Sequence, residues 1–290
     1  MDARPECIVC VLRQALNTVR LVTDDEAIHH RVLAAVAARM SEATLDQTPA
    51  RLSKPAYELV SAITGVADPY ASRKRANNAD ALALLPTIRA RVEAAEDPLG
   101  AAVRAAAAGN IIDLGIGHAF DIERDIEAIM SRPLAIDHTD QLREELGRGT
   151  RILYLGDNAG EIAFDRLLVE RLLACGAEVT FAVKSGPVIN DATLADAIEV
   201  GMTELVPVVE TGSDDIGVNW DDVSGEFLSL YDSADIVISK GHGNFETTCD
   251  RVANSYFLLK AKCPVVAAEA GVQLAEVVFL RRRATGHSAD

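Results

Sequence analysis

Residues 151–165, RILYLGDNAGEIAFD, decide the fold and pose the functional question at once. An apolar, β-prone run stops at a Gly-Asp-Asn-Ala-Gly turn, and the residues after it repeat with helical spacing, so the segment reads as strand, loop, helix. Working outward, EVTFAV (178–183), ELVPVV (204–209), ADIVIS (234–239) and CPVVAA (263–268) read as further strands. Helical stretches such as EIAFDRLLVERLLACG (161–176) separate them and end in glycine, as a C-terminal cap does. Strands alternating with helices predict a doubly wound, mainly parallel sheet of Rossmann-like α/β type, covered on both faces.

Upstream of residue 148 the texture is different. Segments such as DEAIHHRVLAAVAARMSEA (25–43) repeat apolar residues every three or four positions, and no clear strand is visible. We therefore expect a helical N-terminal subdomain over 1–148 packed on an α/β subdomain over 149–290, the two forming one folding unit without a flexible linker.

The composition narrows the function. With 290 residues, 49% of them hydrophobic, the chain has ample core. A net charge of −16 repels nucleic-acid backbones and anionic membrane surfaces, and the run Arg281 to Arg283 reads as a solvated helix end. No stretch has the length of apolar sequence that a membrane span needs, and the first residues do not resemble a secretory signal. Five cysteines, an odd number, fit a reducing compartment, so a cytoplasmic protein is expected.

In a parallel sheet, ligands bind at the carboxyl ends of the strands. Three loops fall there: GDNAGEI (156–162), KSGPVINDAT (184–193) and SKGHGNFETT (239–248). Together they would gather Asp157, Asn158, Glu161, Lys184, Asn190, Asp191, Lys240 and Asn244. Two carboxylates brought together there repel one another and are costly to desolvate, which leaves a raised pKa or a bound cation as the way out. With Asn158 they make an all-oxygen set suited to Mg2+ or Mn2+. Lys240 would suit a phosphate, and the N–H groups of Gly160, Gly241 and Gly243 could form an anion nest. Each loop has a simpler reading: Asp157 and Asn158 as a turn or helix cap, Asn190 or Asp191 as the cap of the next helix, Lys240 as a solvated charge. Cys7 and Cys10, in CIVC, have the spacing of a zinc or redox pair, but no further ligands complete such a site. In AGNIIDLGIGH (108–118), His118 could be an acid-base group or simply a hydrogen-bonded histidine, and Asn110 and Asp113 could reach over the sheet edge from the helical half.

These motifs, in order along nearly the whole chain, resemble the damage-control phosphatases, metal-dependent enzymes first grouped as a domain of unknown function. LGDNAGEIAFD, KSGPVINDAT and SKGHGNFET carry the likeness, supported by AGNIIDLG, DPYASRKRANN and the N-terminal CIVC. The Cys-x-x-Cys start and modest length resemble the stand-alone prokaryotic branch. The resemblance implies a phosphatase acting on phosphomonoesters of small metabolites with Mn2+, Mg2+, Co2+ or Ni2+. It implies Asp157, Asn158 and Asp191 as metal ligands and Lys240 as a contact to the substrate phosphate. Either Glu161 or Asp191 would then orient the attacking water or take its proton, or Asp157 itself would attack to give an aspartyl-phosphate, with Gly160, Lys184, Gly241, Asn244 and Asn110 expected around the substrate. His242 stands where the family pattern suggests glutamine or aspartate, which bears on hydrogen bonding near the leaving group. The rival reading is a non-catalytic nucleotide or phosphometabolite binding module; with no Gly-x-Gly-x-x-Gly after the first strand, a dinucleotide reader is not expected.

Overall fold

The computed structural model describes residues 1–109, 130–251 and 253–283. Asn110, Asp113 and His118, singled out in the sequence, lie outside the described residues.

Seven strands form one sheet: β1 (Ile136–Asp137), β2 (Arg151–Leu155), β3 (Glu178–Val183), β4 (Val208–Glu210), β5 (Ile236–Lys240), β6 (Ser255–Lys260) and β7 (Val277–Arg282). Their spatial order is β1-β7-β6-β5-β2-β3-β4. Pairing is parallel throughout except for β6 with β7, which is antiparallel. The order reverses between β2 and its two neighbours, β3 on one side and β5 on the other, which makes their carboxyl ends the crevice in which such sheets bind ligands.

Among the described residues, five helices precede the sheet: α1 (Pro5–Arg20), α2 (Glu26–Ser41), α3 (Pro49–Thr64), α4 (Ala71–Ala94) and α5 (Pro98–Gly109). The first three bury their own apolar stripe, Val11, Ala15, Val32, Val36, Leu52 and Val60 among others. α4 and α5 instead share the main core with the sheet and with α7 (Glu161–Ala174), where Ile88, Val103, Phe164, Leu168 and Tyr154 meet. The alanines of α5 explain its close seat on α7: every residue from Gly100 to Gly109 except Arg104 is buried, and a Cβ on Gly109 would stand 3.1 Å from the Phe164 ring. The other helices among the described residues are α6 (Thr139–Glu145), α8 (Leu194–Glu199), α9 (Gly225–Ser233), α10 (His242–Thr248) and α11 (Pro264–Ala270). Among the described residues, no helix is long and apolar enough to cross a membrane.

Three expectations need correcting. CPVVAA is not a strand: Cys263 accepts the Val266 N–H at its sulfur, Pro264 occupies the first turn, and helix α11 follows, a start that proline's fixed φ favours. The strand lies just before it, at β6. The apolar run before Arg281 is not a helix end either. It is β7, paired antiparallel with β6, and its arginines are held by Glu145, Asn254 and Glu269. The first half is also not strandless, because Ile136–Asp137 adds an edge strand to β7.

Candidate active site

The loop after β2 and the loop after β3 are joined by main-chain hydrogen bonds. Ala159 N–H donates to Asn190 O at 2.8 Å and Ala192 N–H donates to Asp157 O at 2.8 Å, so Asn158 and Asp191 face one another as an isolated antiparallel bridge. This contact, between residues more than thirty apart in sequence, is what brings Asp157, Asn158 and Asp191 together. The capping alternatives do not hold. The N-cap of α7 is Gly160, with no side-chain cap bond, and that of α8 is Thr193, in a capping box with Asp196.

All the polar residues expected at this edge are buried except Asn190, which is half-buried. Asn158 Nδ2 donates to Asp157 Oδ2 at 2.9 Å and to Glu161 Oε1 at 2.7 Å, linking two carboxylates through one amide. Crowded acids in a desolvated place hold their protons. Burial, followed by the charges of Glu161 and Asp191, pushes the Asp157 carboxyl well above its ordinary range. Burial also raises Asp191 to about 6, with Lys184 and Lys74 pulling the other way and Glu161 adding to the rise. Gly241 is compulsory here: its φ is +81°, and a Cβ would overlap the Asp157 carboxylate.

The lysines are placed differently from the expectation. Lys240 is fully buried; its ammonium donates to Asp165 Oδ1 at 2.6 Å and to Ala106 O at 3.0 Å, and Tyr154 Oη donates to the same Asp165 oxygen at 2.9 Å. Burial alone would lower its pKa, but Asp165, then Glu161, outweigh that and raise it. Lys240 is therefore a fixed charge beneath the carboxylates and does not line the cleft. Lys184 is also buried, its Nζ 3.8 Å from Asp191 Oδ2 and 3.4 Å from Asn244 Oδ1, with a further bond to Gly217 O. Asn244 Nδ2 ties Gly156 O to Lys240 O at 2.9 and 2.8 Å, so Asn244 braces loops. The expected anion nest is not built from Gly160 and Gly241. The first donates its N–H to Asn78 Oδ1 at 2.7 Å and the second to Leu258 O at 3.1 Å.

Sequence reasoning missed the contributions of α4 and of the turn after β6. Lys74 Nζ reaches Asp196 Oδ2 at 3.0 Å and Asp191 O at 3.5 Å, and Asn78 spans Gly160, Asp196 and Glu199. These buried groups sit in RKRANN, where a basic and polar run on one helix was the available signal. Lys262 is exposed, lines the cleft and pulls the Asp157 carboxyl downward.

Above this edge lies a cavity of about 460 Å3, walled on one side by Asp157, Asn158 and Asp191 and on the other by α1 and α3. His242 lines it too. Its Nε2 accepts the Lys262 N–H at 2.8 Å, and burial followed by the Lys262 charge lowers its pKa to about 4, so the ring is neutral. Glu246, one helical turn on, is pushed up to about 7 by burial. Elsewhere, ligand atoms of Cys249, Asp250 and Glu269 lie within 4.8 Å of one another. None of the three lines the cleft, and Asp250 already binds the terminal amine of Met1 while Glu269 binds Arg282.

The donor set fits a hard divalent ion. Asp157, Asn158 and Asp191 offer only oxygen, two of the three are carboxylates that resist ionising together, and they face open cavity.

Comparison with known proteins shows the family to which the chain belongs. The damage-control phosphatase ARMT1-like domain matches residues 3–278. A damage-control phosphatase of Pyrococcus horikoshii is 34% identical, covering 98% of this chain and 99% of its own length. One of Archaeoglobus fulgidus is 32% identical over 96% of this chain and 98% of its own. The crystal structure of a DUF89 family protein from Pyrococcus horikoshii superposes with a TM-score of 0.90 at 34% identity, covering 98% of this chain and all of the other.

Proposed function

Because this chain belongs to the damage-control phosphatase family with the ARMT1-like domain, we propose that it is a divalent-metal-dependent phosphatase hydrolysing phosphomonoesters of small metabolites at the cleft above β2, β3 and β5. The observation that carries the reading is the bridged pair of loops, which sets two reluctant carboxylates and an amide oxygen at the mouth of a cavity large enough for a small metabolite.

In this reading Asp157, Asn158 and Asp191 hold the ion. A hard divalent cation there supplies charge neutralisation for the phosphoryl group and a more acidic water. The chain supplies the rest. Lys262, at the rim, takes the phosphate oxygens as they arrive. Lys240 stays in place and offsets the negative charge of Asp165, Glu161 and Asp157 from below, so its contribution to phosphate affinity is electrostatic and indirect. Glu161, held through Asn158, is the carboxylate positioned to orient the attacking water and take its proton. Water attacks phosphorus, the ester P–O bond breaks, and inorganic phosphate and the alcohol leave. The wall of α1 and α3 meets the alcohol portion and sets which metabolites fit.

The test is hydrolysis of an aryl phosphate by purified protein, with Mn2+, Mg2+, Co2+ or Ni2+ against chelator. Metal-stimulated turnover that vanishes in Asp157→Ala supports the reading. Equal turnover in chelator, or an active Asp157→Ala, overturns it.

A further inference from the structure

Three of the five cysteines, Cys7, Cys10 and Cys263, line the same cleft as Asp157 and Asp191 although they come from opposite ends of the chain. All are free thiols. Cys7 and Cys10 are three residues apart at the start of α1, with Cys7 inside its first turn. The two are not alike. Cys7 is buried, and burial pushes its thiol up. Cys10 is only partly buried, and its sulfur faces N–H donors, Gln14 Nε2 at 3.4 Å and Arg13 Nη2 at 3.9 Å. One open sulfur beside one withheld sulfur is the arrangement of an oxidisable thiol and its resolving partner.

Helix geometry bears on what such a pair can do. Residues three apart on a helix have Cβ atoms about 5–6 Å from one another, whereas a disulfide needs about 3.5–4.5 Å. The bond can close only by tightening the first turns of α1, where several N–H groups have no helical acceptor and the backbone yields most easily. A disulfide made under strain is readily reduced again. Zinc fits less well, because the three sulfurs do not form a compact ligand group of the kind seen at Cys249, Asp250 and Glu269.

We propose that Cys7 and Cys10 are a reversible oxidation site at which a hydroperoxide writes a disulfide into the wall of the substrate cleft. Cys10 sulfur attacks the peroxide, the O–O bond breaks, and the alcohol or water leaves with Cys10 as a sulfenic acid. Cys7 sulfur then displaces water from it. Two thiols and one hydroperoxide give one disulfide, one alcohol and one water, and the two electrons pass from sulfur to the peroxide. Closure withdraws the Cys10 sulfur from Arg13 and Gln14, which line the cleft, and Gln14 is also bonded to Tyr57. The α1 wall shifts, while the loops bearing Asp157 and Asp191 do not.

The test uses the full chain in chelator, treated with tert-butyl hydroperoxide, alkylated and mapped by mass spectrometry. The peptide with Cys7 and Cys10 should lose two hydrogens and escape alkylation, and dithiothreitol should restore it. Oxidised protein, freed of peroxide and supplied with metal, should show KM for an aryl phosphate raised roughly threefold or more with kcat little changed, and Cys10→Ser should show neither effect. Cys7 and Cys10 still alkylated at doses that oxidise the exposed Cys175 would overturn the proposal. So would a bond from Cys10 to Cys263, an unchanged KM in the oxidised wild type, or the same KM rise in Cys7→Ser/Cys10→Ser. The mapping is read from mass alone and stands apart from the phosphatase reading.

Discussion

Replacing Asp191 by asparagine should make the metal-free protein more stable while removing its response to metal. Asp191 has its carboxyl raised from 3.8 to about 6, chiefly by burial. A carboxyl raised on folding means that the native state binds more protons than the unfolded chain between those two values, so stability falls as pH rises through that window and the loss is complete above it. At ~1.4 kcal/mol per pKa unit the shift corresponds to about 3 kcal/mol at pH 8. Asparagine keeps the shape and lacks the charge, so Asp191→Asn should recover up to about 3 kcal/mol, or several degrees in Tm for a chain of this size. The assay is thermal unfolding at pH 8 in chelator, repeated with Mn2+. Wild type should gain about 2.7 kcal/mol when the ion is a hundredfold above its Kd, and Asp191→Asn should gain little. A variant less stable than wild type in chelator, or one stabilised equally by Mn2+, would refute the claim that this carboxylate is kept in tension for an ion.

Other outcomes follow from the same geometry. Gly241→Ala should cost activity far more than its backbone strain of about 1–3 kcal/mol suggests, because the new methyl displaces the Asp157 carboxylate; kcat/KM near wild type would contradict the packing. Lys240→Met leaves Asp165 buried without its ammonium and should cost about 3–5 kcal/mol in denaturant unfolding. Asp165→Leu added to it should return much of that, whereas a fully stable Lys240→Met with only a higher KM would mean that the lysine serves the substrate directly. Glu246, raised from 4.5 to about 7, makes stability fall as pH rises from about 4.5 to 7, and Glu246→Gln should flatten that decline by about 3 kcal/mol. Unfolding curves of both proteins across this range decide it.

The parallel core was readable because β2, β3 and β5 are short, mostly apolar and β-branched runs, as strands covered on both faces tend to be. The right-hand edge was not. CPVVAA and VVFLRR have equal claims to a strand by composition, and only the proline and the sulfur cap at Cys263 separate them. At the site, the glycine-rich polar loops marked the residues, but the bridge between Asn158 and Asp191 is a property of two strands lying side by side and leaves no trace in either loop alone. The lysines show the same limit. Whether a strand-end lysine turns into the sheet's helical cover, as Lys240 does toward Ala106 and Asp165, or toward the cavity depends on the pleat and on what packs above it. Lys74 and Asn78 were hidden because the site residues they hold lie more than eighty residues away.

The stitching of the β2 and β3 loops has an evolutionary corollary. Since neighbouring strands clamp the acidic centre through their own main chains, substitutions on the opposing faces of α1 and α3 can reshape the mouth without disturbing it. A lineage could thus retarget such an enzyme to new compounds by redrawing one wall, its hydrolytic apparatus passing unchanged from one specificity to the next.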